Sequence, residues 1–375
     1  MIKVFMTGDN HFGKKYDRYP EIRERLIQSR FDCLEDMVIQ AEKENCDLFI
    51  ITGDLFDNVS SISTETIRKV ADILRKFDGR VLVLPGNHDY YSGDEKVWKD
   101  FKKVTEYEDN IHLLNEMKPM KLPIRDEAVI IYPAYCQSKH AMENNLGWIK
   151  GLKMSEDAYH LGIAHGAVEG KTPDINGEYF LMTELELNTI PVDAWLIGHT
   201  HVPFPALSEN KETEGYKVFN AGTHEQTDLH NNTEGFGFIL TFDRKNGKKT
   251  VSAHSYRSGR IRFYDLDITP KSGESLEDAV KDAVSDLQSE SIIRIKLHGA
   301  VSETDYEDKD RICRFLLKEF LVYEVDSTDL RERITPEKIY DEFSEIGFAA
   351  AVLKELLDKP KELQMAYELL KKYQN

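Results

Sequence analysis

Five short segments gather side chains of the kind that bind metal ions: Gly8-Asp9-Asn10-His11, Gly53-Asp54-Leu55-Phe56-Asp57, Gly86-Asn87-His88-Asp89, Ala164-His165-Gly166 and Gly198-His199-Thr200-His201. Carboxylate, amide oxygen and imidazole with no cysteine suit Mn²⁺ first, with Fe or Zn²⁺ as alternatives, rather than a structural zinc site. The glycines permit tight turns and let backbone approach a metal or a phosphate closely. Asp9, His11, Asp54, Asn87, His165, His199 and His201 are more ligands than one ion needs. With one carboxylate shared, they would build two adjacent sites about 3.5–4 Å apart. Singly, each segment has a plainer reading: an Asp-x-His turn, a turn asparagine at 87, a satisfied core histidine at 165. All five, in this order and each at the end of an apolar run, read as a two-metal site.

The elements that must position these groups are legible around them. Residues 2–8, 47–54 and 80–87 are apolar runs of the kind buried on both sheet faces. Helical patterns separate them, at about Arg23 to Glu44 and Thr64 to Phe77. This rhythm predicts an α/β fold with a mostly parallel core sheet. Later strands are expected at 128–135, 161–166, 193–201, 216–223 and 235–242, with fewer helices between them, so a second sheet should pack on the first. Polar ligands then fall where neighbouring strands end, as in other open α/β folds. A Pro-, Gly- and Ser-containing stretch after residue 268 marks a boundary, giving domains 1–267 and 268–375. The second is expected to hold a helix from Ser275, a strand at 292–299, a helix from about Asp305 to Phe320, a strand at 321–325 and a helix start at Thr335-Pro336. A last helix, Lys361 to Tyr373, would set Leu363, Ala366, Leu369 and Leu370 on one side.

Composition excludes several classes. Hydrophobic residues at 41% and charged residues at 31% describe a folded chain, not a disordered one. No apolar run approaches the roughly 20 residues of a membrane span, and the first residues enter a strand without a signal-peptide pattern. A cytoplasmic location with no membrane partner is the expectation. Cys33, Cys46, Cys136 and Cys313 have no C-x-x-C spacing and suggest neither disulfides nor a zinc knuckle. The net charge of −18 argues against a passive nucleic-acid coat.

In order and residue type, the five segments resemble the signature of the calcineurin-like metallophosphoesterases. The resemblance implies a two-sheet sandwich flanked by helices, here followed by a smaller C-terminal α/β capping domain. It implies that Asp9, His11, Asp54 and His201 hold one ion and that Asp54, Asn87, His165 and His199 hold the other, with Asp54 bridging. His88 matches the family's non-ligand catalytic histidine, and Asp57 the carboxylate that orients it. The implied reaction is phosphoester hydrolysis: hydroxide formed between the cations attacks phosphorus, and His88 assists the leaving group.

Asn58-Val59 stands where protein phosphatases of this superfamily carry Arg-Gly, which sets that branch aside. From Phe219, FNAGTHEQTDLHNNTEGFGFILTFD is similar to the SbcD-type nucleases, bacterial relatives of the subunit that processes DNA double-strand breaks. That closer resemblance implies a DNA repair exonuclease/endonuclease, with DNA as substrate, an SbcC-type ATPase as partner and a homodimer as one assembly. His224 is a candidate contact for substrate phosphate, or else a loop residue. Lys14, Lys15 and Arg18 either meet a nucleic-acid backbone or form a solvated face. The alternative is a small-molecule or nucleotide phosphodiesterase using the same site. A non-catalytic scaffold is disfavoured because no ligand is missing.

Overall fold

Strands whose residues are apolar on both faces need cover on both sides, and this chain supplies it with helices below and a second sheet above. The computed structural model describes residues 1–172, 177–231, 233–271, 273–343 and 347–374. In chain order the elements are β1 (Ile2–Thr7), α1 (Arg23–Lys43), β2 (Leu48–Ile51), α2 (Thr64–Leu74), β3 (Arg80–Val83), α3 (Lys96–Val104), β4 (Ile111–Leu113), β5 (Met120–Ile124), β6 (Glu127–Ala134), β7 (Ala158–His165), α4 (Glu184–Thr189), β8 (Ala194–Gly198), β9 (Thr213–Glu214), β10 (Val218–Phe219), β11 (Phe236–Lys245) and β12 (Lys248–Arg257). There follow β13 (Arg262–Ile268), α5 (Leu276–Val284), β14 (Ser291–Val301), α6 (Glu303–Leu317), β15 (Val322–Glu332), α7 (Pro336–Glu342), α8 (Phe348–Glu355) and α9 (Pro360–Gln374).

Among the described residues, the first sheet runs β4-β3-β2-β1-β11-β12-β9 and the second β10-β8-β7-β6-β5. Strands β1 to β4 are parallel, whereas β11 lies antiparallel to β1 and β12 antiparallel to β11. The sheet is therefore mixed, and residues 235–242 join the first sheet rather than the second. In the second sheet β6, β7, β8 and β10 are parallel and only β5 is antiparallel. Alternation along each strand divides the core. Ile2, Val4, Met6, Leu48, Ile50 and Leu82 meet Ile131, Leu161, Ile163 and Leu196 between the sheets. Phe5, Phe49, Ile51, Val81 and Val83 face the helices, against Phe31, Leu34 and Val38 of α1 and Ile67, Val70 and Leu74 of α2. Helix α2 starts where Ser63 accepts the Thr66 backbone N–H at 3.0 Å.

The chain divides into two compact units, Met1–Phe263 and Tyr264–Asn375. The expected boundary at 268 lies later because residues 261–268 read as the last strand of the first domain, whereas β13 belongs to the sheet β13-β14-β15. In the second unit β14 and β15 are parallel, and Ile293, Ile295 and Leu297 pack with Val280 of α5 and Leu317 of α6. Ser275, Ser302 and Thr335 cap α5, α6 and α7, and Pro336 occupies the first turn of α7. Leu363 and Tyr367 of α9 pack with Ile339, Phe343 and Leu353, while Leu369, expected on the same side, is exposed. Among the described residues no helix is long and apolar enough to cross a membrane.

Between β14 and β13 of this small sheet Arg294 Nε donates to Asp265 at 2.9 Å and Nη2 to its second oxygen, a bidentate pair. The Arg294 guanidinium holds the Asp265 carboxyl down, to about 2. Its unfolded value is near 3.8, so the contribution is present above that pH and is lost as pH falls toward 2. Asp265→Asn is expected to cost about 1–2 kcal/mol at pH 7 and almost nothing near pH 2, read by denaturant unfolding at both.

Candidate metal centre

The donors arrive at the C-terminal tips of β1, β2, β7 and β8 and on the loop after β3. Once a strand's last apolar residue is buried, the next residues must turn sharply, and they do so at strained angles. Asp9, His11, Asp54, His199 and His201 have φ of 50°, 46°, 52°, 108° and 55°. Non-glycine residues in this left-handed region cost on the order of 1 kcal/mol or more and persist only where the surroundings force them. Two glycines supply the room. A Cβ on Gly53, itself at φ 108°, would stand 2.1 Å from His165 Nδ1, and one on Gly86 would stand 2.3 Å from Asp54 Oδ1.

The donor atoms converge. Nε2 of His11 lies 3.1 Å from Nε2 of His201 and 3.8 Å from Asp54 Oδ2. His201 Nε2 is 3.6 Å from Asp9 Oδ1. On the other side His165 Nε2 lies 3.4 Å from the same Asp54 Oδ2 and 2.9 Å from Asn87 Oδ1, which is also 3.1 Å from His199 Nδ1. Asp54 Oδ2 thus stands between the two groups. His165 Nδ1 donates to the Thr52 carbonyl at 2.9 Å, which turns Nε2 toward the centre. The His199 backbone N–H donates to Asp9 at 2.9 and 3.1 Å.

Electrostatics shows what the cluster lacks. Asp9 and Asp54 are 0% and 1% exposed, and the ion pairs they form among the described residues are with imidazoles. Burial pushes the Asp9 carboxyl up to about 7, with His165 opposing and Asp54 adding. Burial would also raise Asp54, but the charge of His165, then those of His11 and His88, hold it well below the carboxylate range. His165 is lowered by burial and more than compensated by Asp54, reaching about 9. His11 and His201 are held down by burial, and in His201 next by the charge of His11. Two buried carboxylates among oxygen and nitrogen donors fit divalent cations, which would satisfy charges that burial alone leaves expensive. Cys136 donates to the His165 carbonyl at 3.4 Å, but burial pushes its thiol far up, so it stays out of the donor set.

Each of the seven expected ligands lies in this cluster. His88 stands beside it, half-buried, with its ring edge-on to His11 at 4.8 Å and its backbone N–H donating to Asp54 Oδ1 at 2.8 Å. The expected role of Asp57 needs correction. It meets His88 Nδ1 through its carbonyl oxygen, at 3.2 Å, while its carboxylate stands 3.4 Å from His11 Nδ1. The carboxylate is nearest the His11 ring, with one oxygen also within 4.8 Å of a His88 ring nitrogen, while the backbone carbonyl meets His88 directly. His224 is also corrected: it is fully buried, its Nε2 donates to the Arg30 carbonyl at 3.0 Å and its ring leans on Phe12, so no substrate reaches it. Lys15 and Arg18 are exposed and Lys14 half-buried.

Sequence reasoning missed Asp89, which lies within a recognised segment but was given no task. Its buried carboxylate accepts the Phe56 and Gly86 N–H groups at 2.9 and 2.7 Å, tying the second segment to the third. It missed Tyr179 too, whose ring lies 5.0 Å from His199 and 5.1 Å from His140.

The family described as Calcineurin-like phosphoesterase matches residues 2–203. The chain is 28% identical over 183 residues to the uncharacterized metallophosphoesterase YhaO of Bacillus subtilis (strain 168), covering 47% of this chain and 42% of YhaO. It is 26% identical over 245 residues to the DNA double-strand break repair protein Mre11 of Saccharolobus solfataricus, covering 60% of each. It therefore spans between 42% and 60% of the length of these relatives. Two solved structures also align: a dimetal phosphatase from Danio rerio, at 11% identity and TM-score 0.40 over 68% of this chain and 99% of that one, and the calcineurin-like phosphoesterase YfkN from Bacillus subtilis, at 13% and 0.38 over 76% and 95%.

Metal uptake requires Asp9 ionised and His165 neutral, and both are protonated at neutral pH or just below it without metal. Mn²⁺ affinity is expected to rise from about pH 6 to about pH 9 with protons released on binding. Calorimetry in two buffers of different ionisation enthalpy reads those protons. Affinity independent of pH would contradict this account of the site. Asp54→Asn is expected to remove both ions, since its carboxylate faces both groups, and His201→Ala to weaken one.

Proposed function

This chain belongs to the calcineurin-like phosphoesterase family, and from its site we propose that it hydrolyses phosphodiester bonds in DNA as a repair-type exonuclease and endonuclease. The observation that carries the hydrolytic reading is the convergence of five nitrogen and oxygen donors around two buried carboxylates, with a histidine outside the donor set at the edge. The choice of DNA draws on the similarity to a protein described as Mre11, over 245 residues. When bound, two divalent cations, Mn²⁺ by preference with Fe or Zn²⁺ as alternatives, supply positive charge for phosphate oxygens and lower the pKa of a water.

The chain's own groups do the rest. Asp9, His11, Asp54 and His201 would hold one ion, and Asp54, Asn87, His165 and His199 the other. His88 is free of both sets. Its Nδ1 faces the Asp57 carbonyl, an acceptor only, so Nδ1 carries the proton in this reading. With Nε2 also protonated, its N–H is available to a phosphoryl oxygen or a departing alkoxide. Tying the His88 backbone to Asp54 Oδ1 keeps the ring registered on the shared carboxylate. An SbcC-type ATPase, as a source of the basic surface that DNA demands, and a homodimer of the chain belong to the same proposal. A net charge of −18 favours a second reading, a small phosphodiester or nucleotide substrate, because the chain has little charge with which to displace DNA counterions.

The test is degradation of end-labelled duplex and single-stranded DNA with Mn²⁺ or EDTA, beside a chromogenic phosphodiester. His88→Ala is expected to lose about 10²–10⁴-fold in kcat while keeping its metal. Metal-dependent DNA cleavage that weakens steeply with salt supports the nuclease. Turnover of the small diester with DNA left intact, even with an SbcC-type ATPase present, establishes the second reading instead.

A further inference from the structure

Asp9 and His11 hold left-handed backbone angles on either side of Asn10, which Asp and His tolerate better than most residues but still at a cost. The Asp9 and His11 N–H groups donate to the Gly53 and Asp54 carbonyls at 3.0 and 2.9 Å, and two side chains grip the carbonyls of the turn from the other side. Arg30 of α1, 2% exposed, donates to the Asn10 carbonyl from Nε at 2.9 Å and from Nη2 at 2.5 Å. The Thr223 hydroxyl, fully buried, lies 2.9 Å from the Asp9 carbonyl. Arg30 is fixed in turn: Nη1 donates to Tyr16 Oη at 3.0 Å and to the Glu225 carbonyl at 3.4 Å, and the Arg30 carbonyl receives His224. The Glu225 carboxylate accepts Ser29 Oγ at 3.0 Å and the Ile261 backbone N–H at 2.8 Å, which anchors the loop that carries Thr223.

A buried guanidinium beneath a site for dications needs a reason, since its charge opposes theirs. A planar fork on one carbonyl supplies it, because neither lysine nor a neutral residue can place two donors on a single oxygen in this way. We propose that Arg30 is a positioning residue, which with Thr223 locks the Asp9–His11 turn so that the Asp9, His11 and His201 donors meet one ion. Arg30 touches none of the seven donors. Its action is expected mainly on one of the two ions, because His165 and Asn87 rest on Thr52 and on each other, and only His199 reaches the turn, through its backbone N–H on Asp9.

The proposal rests on the reading that the site takes two divalent cations, and the experiment separates the two claims. Mn²⁺ is titrated calorimetrically into the full chain as wild type, Arg30→Lys, Arg30→Met and Thr223→Val, with melting temperatures recorded alongside. Wild type is expected to bind two ions. Arg30→Met should weaken one of them by about 10–100-fold and leave the other within about threefold, the range seen when a ligand's supporting partner is lost. Arg30→Lys and Thr223→Val should fall between, and they decide the matter if Arg30→Met does not fold. Two ions bound with unchanged affinity in the variants would overturn the role of Arg30 and leave the metal reading intact. Tighter binding in Arg30→Met would show that its charge matters and its grip does not, and so would also overturn it. Equal weakening of both ions, in step with the melting temperature, would reduce Arg30 to a structural residue. Wild type binding no ion would overturn the metal reading and this proposal together.

Discussion

Two carboxylates, Asp9 and Asp54, are taken out of water at the ends of adjacent parallel strands and given imidazoles for partners. Removing a charge from water costs several kcal/mol unless something of opposite sign replaces the solvent. Most features near the site follow from that burial. Residues around the carboxylates adopt left-handed angles because the strand tips must reverse within a residue or two. Gly53 and Gly86 lack side chains because His165 and Asp54 occupy the space. Asp89 remains buried because it is the clasp between two of the turns. The fold thus gathers oxygen and nitrogen donors at its strand ends, a set suited to divalent cations.

The surroundings are rigid where the donors sit and open where a substrate would enter. His165 is clamped by Thr52 and Asn87, both buried just beyond strand ends, and Asp9 by the His199 N–H on its carboxylate and Thr223 on its carbonyl. His201 retains 29% of its side-chain exposure, Asp57 28%, and His88 is half-buried at the same edge. A phosphate can approach from that side while the donors behind it stay fixed, an arrangement suited to electrostatic catalysis with little reorganisation.

Much of this was legible in the sequence. Residues 2–8, 47–54 and 80–87 declared β1, β2 and β3 because burial on both faces leaves no polar alternation to misread. The seven donors could be named because each follows such a run. Other parts had no local signal. Strand β12, Lys248–Arg257, is largely polar and exists because it pairs with β11 over its whole length. Residues 261–268 look like any strand, and only tertiary pairing assigns their greater part, from Tyr264 on, to the second unit. Asp57 was expected to aim its carboxylate at His88, but spacing in sequence cannot say which atom of a residue faces which neighbour. His224 and Arg30 show the same limit from opposite sides: a candidate phosphate contact is buried against Arg30, and an ordinary helix arginine grips the Asn10 carbonyl.

The most direct measurement is anomalous diffraction from crystals grown with Mn²⁺, recorded on both sides of the manganese edge. The account predicts two peaks about 3.5–4 Å apart with Asp54 between them, Asp9, His11 and His201 around one and Asn87, His165 and His199 around the other. A single peak, or none with manganese in excess, would contradict it.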